Sequence, residues 1–169
     1  MKAAVRFFAL SAAALLAACA SLVPSEQERK ELLPTGMLRV GVGVGASTSA
    51  FWAVRDSATG QPRGVTVDLA YALARRLEAP VQLVVYANSG EIVAAGPKGE
   101  WDVAFLPVDA ERRKALDFGP NYADSAIAVP KGKAAALAYA SRFIEEAKGD
   151  GTVRRALDNA GLKNAPVAP

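Results

Sequence analysis

Residues 38–45 of this chain read LRVGVGVG, and this stretch decides which fold the sequence predicts. A dinucleotide-binding fingerprint needs the spacing G-x-G-x-x-G, with a helix opening directly after it. Here the glycines alternate with valines, Ala46 occupies the last fingerprint position, and no phosphate-loop lysine follows. The alternation instead predicts a strand, because successive side chains on a strand point to opposite faces. Its three glycines would share one face, where a helix or a ligand can approach closely.

Strands and helices alternate along the rest of the chain. Runs of β-branched and apolar residues predict strands, and apolar residues at helical spacing predict helices. The predicted strands cover 38–44, 81–86, 101–108 and 123–129, and the predicted helices cover 64–78, 89–95, 110–115, 133–148 and 152–160. This order predicts an α/β fold, a three-layer sandwich whose open sheet of about five mostly parallel strands is flanked by helices.

The expected sheet also predicts where a ligand would bind. In open α/β sheets, ligands bind beyond the carboxyl ends of the strands, where the strand order reverses. If the first strand lies between the second and the third, the loops at 45–49, 88–90 and 108–112 flank one crevice. The polar side chains of the first two loops are candidate ligand contacts, or they satisfy the turn backbone: Ser47, Thr48, Ser49, Asn88 and Ser89.

The first 19 residues have the pattern of a lipoprotein signal peptide. Lys2 and Arg6 precede an apolar run that is too short to span a bilayer. Small residues then precede Cys19, the only cysteine, as in the lipobox where a diacylglyceryl group is attached to the thiol. An ordinary signal peptide is the alternative. We expect a periplasmic protein held to the membrane by this lipid anchor, and Ala20 resembles the outer-membrane sorting pattern.

The chain divides into three expected regions. The signal peptide covers 1–19, a tether covers 20–36, and a single folded lobe covers 37–169. The tether is expected because its residues are polar and charged and lack a full apolar stripe, although they leave room for a short helix. Pro34 and Gly36 then break the chain before the lobe begins.

The composition excludes several classes of function. The whole chain has a net charge of +3, but only 18 basic and 17 acidic residues remain without the signal peptide. With no basic stripe, nucleic acid is not an expected partner. The chain has no histidine, which removes the usual general base and the commonest transition-metal ligand. With Cys19 lipidated there is no free thiol, so we expect no metal, no cofactor and no ordinary hydrolase chemistry.

Motifs spread over residues 37–163 resemble the family 3 extracellular solute-binding proteins of the polar amino-acid type. They are LRVG at 38–41, GVTVDLA at 64–70, EWDVA at 100–104, ER at 111–112, LDF at 116–118, PNY at 120–122 and AIAVPKG at 126–132. The resemblance implies the type II periplasmic binding fold and capture of a small solute for a transporter or sensor. Members of this family have two lobes, but here residues 122–126 run straight into the return strand. The resemblance therefore implies the first lobe alone.

The same resemblance implies a set of binding residues. Arg112 would hold the ligand carboxylate, since a guanidinium can bind a carboxylate through two parallel hydrogen bonds. Asp109 stands where the family has serine or threonine, and it is read first as a helix cap and second as a ligand contact that tempers the charge of Arg112. Backbone N–H groups around Val108 are further candidates for holding an anion. The family has an aromatic ring near the first loop, and either Phe51 or Trp52 fits, unless both belong to the core.

We expect the ligand to be a mono- or dicarboxylic acid rather than an amino acid. In the family, the ammonium group of an amino acid is held largely by an acidic residue of the second lobe. A single lobe also leaves the ligand open to water, so a second copy in a homodimer or a separate lid protein is a candidate partner, besides a transporter permease or sensor. The alternatives are a protein-interaction module using the face left by the missing lobe, a remnant that binds nothing, and a dehydratase-like enzyme using Asp109 or Glu111. We prefer a solute-binding protein that is not an enzyme to these alternatives.

Overall fold

The computed structural model of the protein describes residues 23–45 and 49–169. The predicted signal peptide with its lipobox Cys19 therefore lies outside the described residues. The same holds for Ser47 and Thr48, two of the predicted ligand contacts.

A five-stranded sheet forms the centre of the molecule. Its strands are β1 (Leu38–Gly43), β4 (Val81–Tyr86), β5 (Val103–Leu106), β6 (Leu116–Asn121) and β7 (Ala126–Pro130), and a separate small hairpin pairs β2 (Val54–Arg55) with β3 (Pro62–Arg63). The strand order in the sheet is β4-β1-β5-β7-β6. Strand β1 pairs in parallel with both β4 and β5, as the crevice prediction required. Strand β7 runs antiparallel to β5 and β6, so four of the five strands share one direction.

The strand β6 was not among the predicted strands. Gly119 and Pro120 lie in its second half, and this pair is typical of a turn. The structure accommodates the proline because β6 is an edge strand that pairs only with β7, with an irregular register between Phe118 and Asn121. The edge position in the sheet allows these residues to form a strand, and the local sequence does not specify that position.

Within residues 23–45 and 49–169, six helices flank the sheet. They are α1 (Glu26–Leu32), α2 (Val65–Arg76), α3 (Ser89–Ala95), α4 (Arg112–Ala115), α5 (Ala134–Gly149) and α6 (Thr152–Asn159), with a 3-10 turn at Gly96–Lys98. Val40 and Val42 belong to the larger core, with α2, α5 and α6. Ile92 and Trp101 belong to a smaller core on the other face. The predicted three-layer α/β sandwich is therefore confirmed.

The glycine face of β1 is where α3 approaches the sheet. A Cβ atom added to Gly41 would lie 3.1 Å from Ile92 Cγ2 and 3.3 Å from the indole ring of Trp101. One added to Gly43 would meet Ile92 at 3.6 Å. The prediction that these glycines permit a close approach is confirmed, and the element that approaches is a helix.

The segment expected to be a tether contains helix α1, which packs against α5. Ser25 and Glu28 form a reciprocal capping box at its start, and Leu32 at its end is fully buried. The carboxylate of Glu28 pairs with Arg142 of α5 at 2.8 Å. From α1 onward, this segment is part of the folded lobe rather than a free linker, because buried Leu32 and the polar contacts of Glu28 and Glu31 with α5 hold it there.

The chain turns directly from β6 into β7, where the resemblance implied a missing second lobe. The N–H of Tyr122 donates to the carbonyl of Ser125 at 2.9 Å, and both residues are fully buried. The N–H of Ala168 donates to the carbonyl of Tyr122 at 3.0 Å, so the tail after α6 packs beside this turn. Within the described ranges, each helix packs on the sheet or on a helix that covers it, and these elements form one lobe.

Candidate functional site

A cavity of about 410 Å³ opens at the carboxyl edge of β1, β4 and β5. It lies where the loops after these three strands meet, as the sheet prediction anticipated. Its described lining residues are Gly41, Val42, Gly43, Trp52, Thr66, Ala87, Asn88, Ser89, Ile92, Phe105, Leu106 and Pro107. None of these side chains carries a charge, so the walls are apolar with a few hydroxyl and amide groups.

Arg112 lies at the rim of this cavity, with its side chain 21% exposed. One guanidinium nitrogen donates to the hydroxyl of Ser89 at 3.1 Å. The other donates to the carbonyl of Pro107 at 3.3 Å. Both acceptors belong to residues of the cavity wall, so the structure brings the strongest predicted binding residue to the predicted crevice.

Asp109 neutralises Arg112 on the side away from Ser89. Its carboxylate accepts from the Arg112 guanidinium at 2.7 Å and from the Arg112 backbone N–H at 2.8 Å. The second bond spans a turn before α4, which begins at Arg112 rather than at residue 110 and is only four residues long. Glu111 is the N-cap residue of α4, so the prediction that Asp109 caps this helix is wrong. The Asp109 side chain is 47% exposed, so one of its faces remains open to solvent or to a ligand.

Of the two candidate rings, Trp52 lines the cavity and Phe51 packs behind it. The two rings meet edge to face, with centroids 4.8 Å apart. Phe51 also stacks on the buried ring of Tyr122 at 6.1 Å. Phe51 therefore belongs to the core and supports Trp52 from behind.

Asn88 caps α3, and Ser89 is the first residue of the helix. The side-chain oxygen of Asn88 accepts from the N–H of Glu91 at 3.0 Å. The hydroxyl of Ser89 instead accepts from Arg112. Because Asn88 caps the helix, the hydroxyl of Ser89 is available to connect α3 with the rim residue Arg112.

Thr66 and Phe105 line the cavity but were not predicted as site residues. The hydroxyl of Thr66 donates to the carbonyl of Trp52 at 2.9 Å, which holds the backbone of the ring that faces the cavity. Gly64 just before it has φ of 142°, and a Cβ there would lie 2.5 Å from the same carbonyl oxygen. The motif at 64–70, which carries part of the family resemblance and the start of a predicted helix, is the sequence signal that coincides with Thr66.

Several predicted contacts do not reach the cavity. Ser49 is exposed and outside its described lining, and its carbonyl accepts from the N–H of Trp52 at 2.9 Å. Val108 is half-buried and is also not a lining residue. Glu111, an acid candidate for the enzyme alternative, is exposed and pairs with Lys114 at 2.8 Å.

Other acidic side chains of the lobe have structural partners. The buried carboxylate of Asp102 pairs with Arg39 at 2.6 Å, and this hydrogen-bonded pair raises the pKa of Arg39. Asp68 accepts from the side-chain amide of Asn159 at 3.0 Å, which ties α2 to α6. At the end of β4, burial and a hydrogen bond to Glu100 raise the pKa of the Tyr86 hydroxyl to about 12. In the described part of the chain, no three His, Cys, Asp or Glu side chains are grouped so that they could hold a metal ion.

Comparison with known proteins identifies the family of the chain. The sequence profile of the bacterial extracellular solute-binding proteins, family 3, matches residues 40–161. No curated protein matches the sequence significantly. No helix among residues 23–45 and 49–169 has the length and apolar character needed to cross a membrane.

Solved structures share the fold over most of the chain. The arginine-bound form of domain 1 from TmArgBP is 27% identical, with a TM-score of 0.60, and the match covers 69% of this chain and 97% of that one. The substrate-binding protein of an amino acid ABC transporter is 15% identical, with a TM-score of 0.64 over 73% of this chain and 98% of that one. An ancestral cyclohexadienyl dehydratase, AncCDT-3(P188L), is 17% identical, with a TM-score of 0.67 over 81% and 96%. The last two similarities show the fold alone.

Proposed function

This chain belongs to the bacterial extracellular solute-binding proteins of family 3, and on that premise we propose that its lobe captures a small carboxylate-bearing solute. The solute occupies the cavity at the carboxyl edge of the sheet and passes to a transporter or sensor. One observation carries the proposal: the Arg112 guanidinium bonds to Ser89 and Pro107, which both line the cavity. A ligand carboxylate entering from the rim can replace the longer of these bonds and gain two parallel ones.

The carboxylate is the group shared by the candidate ligands. The sequence alone favoured a mono- or dicarboxylic acid over an amino acid. The similarity to the arginine-bound domain 1 of TmArgBP, at 27% identity, favours an amino acid. The arginine-bound domain 1 is also a precedent for ligand binding by one lobe of this fold.

A thermal-shift screen of carboxylates and amino acids tests the proposal. The wild-type protein is compared with Arg112→Ala and with Arg113→Ala as a matched control. Arg113 carries the same charge, but its guanidinium lies over the ring of Phe118 at 5.6 Å, whereas that of Arg112 bonds to two residues of the cavity wall. We expect at least one probe to raise the Tm of the wild type and of Arg113→Ala, while leaving that of Arg112→Ala unchanged.

Two results would contradict the proposal. A shift that survives in Arg112→Ala would move the binding site away from this cavity. No shift with any probe would instead favour the interaction module, in which this face of the lobe meets another protein.

We also propose that Cys19 carries a lipid anchor that holds the lobe in the periplasm, at the outer membrane. The proposal rests on the sequence pattern at 16–19 and on the extracellular placement of the family. Mass spectrometry of the purified N-terminal peptide should show a diacylglyceryl group on Cys19, and Cys19→Ala should move the protein into the soluble periplasmic fraction. An unmodified Cys19 in the membrane fraction would refute the anchor.

A lid is the remaining element of the proposal. A lobe that binds on an open face exposes one side of its ligand to water, which limits affinity. A second copy of the chain or a separate protein can supply that cover. Light scattering during size-exclusion chromatography, with and without the ligand from the thermal-shift screen, distinguishes these partners: a dimer that forms with ligand supports the second copy, and a strict monomer excludes it.

A further inference from the structure

We propose that Asp109 and Arg112 together recognise the ammonium and the carboxylate of an α-amino acid, so that this single lobe supplies both charged contacts. The inference rests on the proposed function, because it assigns the ligand class of the same cavity. It reverses the preference that the sequence alone suggested. The acidic group that a second lobe would contribute has a counterpart within this lobe, at the third residue before the arginine.

The geometry places a negative and a positive group side by side at the rim. A carboxylate oxygen of Asp109 lies 2.7 Å from a guanidinium nitrogen of Arg112, and about half of the Asp109 side chain is exposed. Arg112 is anchored on the other side by Ser89, at 3.1 Å. The ammonium and carboxylate of an α-amino acid are attached to one carbon, so a ligand that brings its carboxylate to Arg112 also brings its ammonium close to Asp109.

The same pair disfavours a simple carboxylate. The charge of Arg112 is already compensated by Asp109, which reduces its attraction for an anion. A carboxylate approaching the guanidinium also approaches the Asp109 carboxylate, and two like charges at this distance repel. A zwitterion avoids this cost because it presents an opposite charge to each member of the pair. The ammonium and carboxylate groups on the α-carbon of the proposed ligand therefore have no net charge together.

The cavity wall assigns the side chain of that amino acid. Trp52, Ile92 and Phe105 line the cavity, and its described lining contains no acidic or basic residue. A charged ligand side chain would enter this space without a partner and would lose its hydration. We therefore assign an uncharged, apolar side chain, in contrast to the arginine held by domain 1 of TmArgBP.

Isothermal titration calorimetry with matched probe pairs tests this assignment. L-leucine is compared with 4-methylpentanoate, and L-phenylalanine with 3-phenylpropanoate, so that the members of each pair differ only in the α-ammonium. We expect at least one amino acid to bind wild type about tenfold or more tighter than its partner, as a charge-assisted hydrogen bond to the ammonium requires. Equal or tighter binding of the des-amino acid would overturn the proposal, and so would tighter binding of L-arginine than of both amino acids.

Asp109→Asn provides the decisive variant. Its amide oxygen can still accept from the Arg112 N–H, so the local turn is retained while the charge is removed. The matched control is Glu111→Gln, which removes the same charge from an exposed residue that pairs with Lys114 rather than with Arg112. We expect Asp109→Asn to abolish the preference for the amino acid and Glu111→Gln to retain it. A preference that persists in Asp109→Asn would overturn the proposal.

Arg112→Ala separates this inference from the proposed function. If both members of a pair bind wild type equally and both lose binding in Arg112→Ala, the cavity is correct and the role of Asp109 is wrong. If binding of both is indifferent to Arg112→Ala, the proposed site itself is wrong. If none of the four probes binds wild type, the assignment of an apolar amino acid fails, and the wider thermal-shift screen decides the proposed function.

Discussion

Replacing Gly41 with alanine tests whether the glycine face of β1 exists for helix packing. The new Cβ would lie 3.1 Å from Ile92 Cγ2 and 3.3 Å from the Trp101 ring. Contacts this short require the neighbours to move. Neither can move readily, because both side chains are buried and the Trp101 ring nitrogen donates to the Ile92 carbonyl at 2.8 Å. Gly41→Ala should therefore lower the free energy of unfolding by about 1–3 kcal/mol, the usual cost of overpacking.

Gly43→Ala is the matched control, two residues along the same face of the same strand. Its Cβ would meet Ile92 at 3.6 Å, which is an ordinary van der Waals distance. The loss of glycine flexibility in the unfolded chain offers about 0.4–1 kcal/mol of stabilisation in such a position. We therefore expect Gly43→Ala to be neutral or slightly stabilising.

Urea unfolding followed by circular dichroism measures both free energies, and thermal unfolding gives a second readout. Each 1 kcal/mol lost should lower the Tm by about 2–4 °C in a domain of this size. The decisive quantity is the difference between the two variants. If Gly41→Ala is as stable as Gly43→Ala, the helix approach does not explain the glycines, and the packing argument is refuted.

Three further predictions concern other parts of the lobe. Leu32→Ala should lower the free energy of unfolding by about 2–5 kcal/mol, since Leu32 is fully buried. Val23→Ala, at a position that is 74% exposed, should change it little. Equal effects of the two substitutions would show that α1 does not contribute to the stability of the lobe. The N–H of Gly132 donates to the Asp117 carboxylate and lowers its pKa, so the ionised carboxylate stabilises the folded state. This stabilisation is present above the unfolded-state pKa of about 3.8, and it is lost as the pH falls through the lower folded-state pKa. Acid titration of unfolding should therefore show a shallower loss in Asp117→Asn, and an unchanged slope would contradict this. Ligand binding should change the tryptophan fluorescence, and Trp52→Phe should abolish that change because the remaining tryptophan does not line the cavity; a signal that persists would place the ligand elsewhere.

Asp109 illustrates how the site differs from the family resemblance. The resemblance made Arg112 the main contact and treated Asp109 first as a helix cap, whereas its carboxylate accepts from the Arg112 N–H in the turn before α4. Only the folded structure shows that the same carboxylate also holds the Arg112 guanidinium at the cavity rim. That contact is what changes the expected ligand from a simple carboxylic acid to a zwitterion.

The boundaries of the lobe depended on contacts that local sequence patterns describe poorly. The polar segment before Pro34 lacks an apolar stripe, yet Leu32 inserts into the core, Leu33 packs against it, and α1 contacts α5. The ion pair between Glu28 and Arg142 joins residues more than a hundred positions apart. Such contacts stabilise a short helix that would be marginal in isolation.

The sequence by itself determined the alternating strands and helices, the α/β sandwich, the glycine face of β1 and the crevice in which Arg112 lies. These features follow from local periodicity, glycine placement and short motifs. The tertiary structure decided that Trp52 rather than Phe51 faces the cavity, that Asn88 caps α3 so that Ser89 can bond to Arg112, and that β6 is a strand. Each of these depends on which neighbour occupies a given side of a residue. That choice is made by packing between segments distant in the chain, because the local pattern allows both outcomes at similar cost.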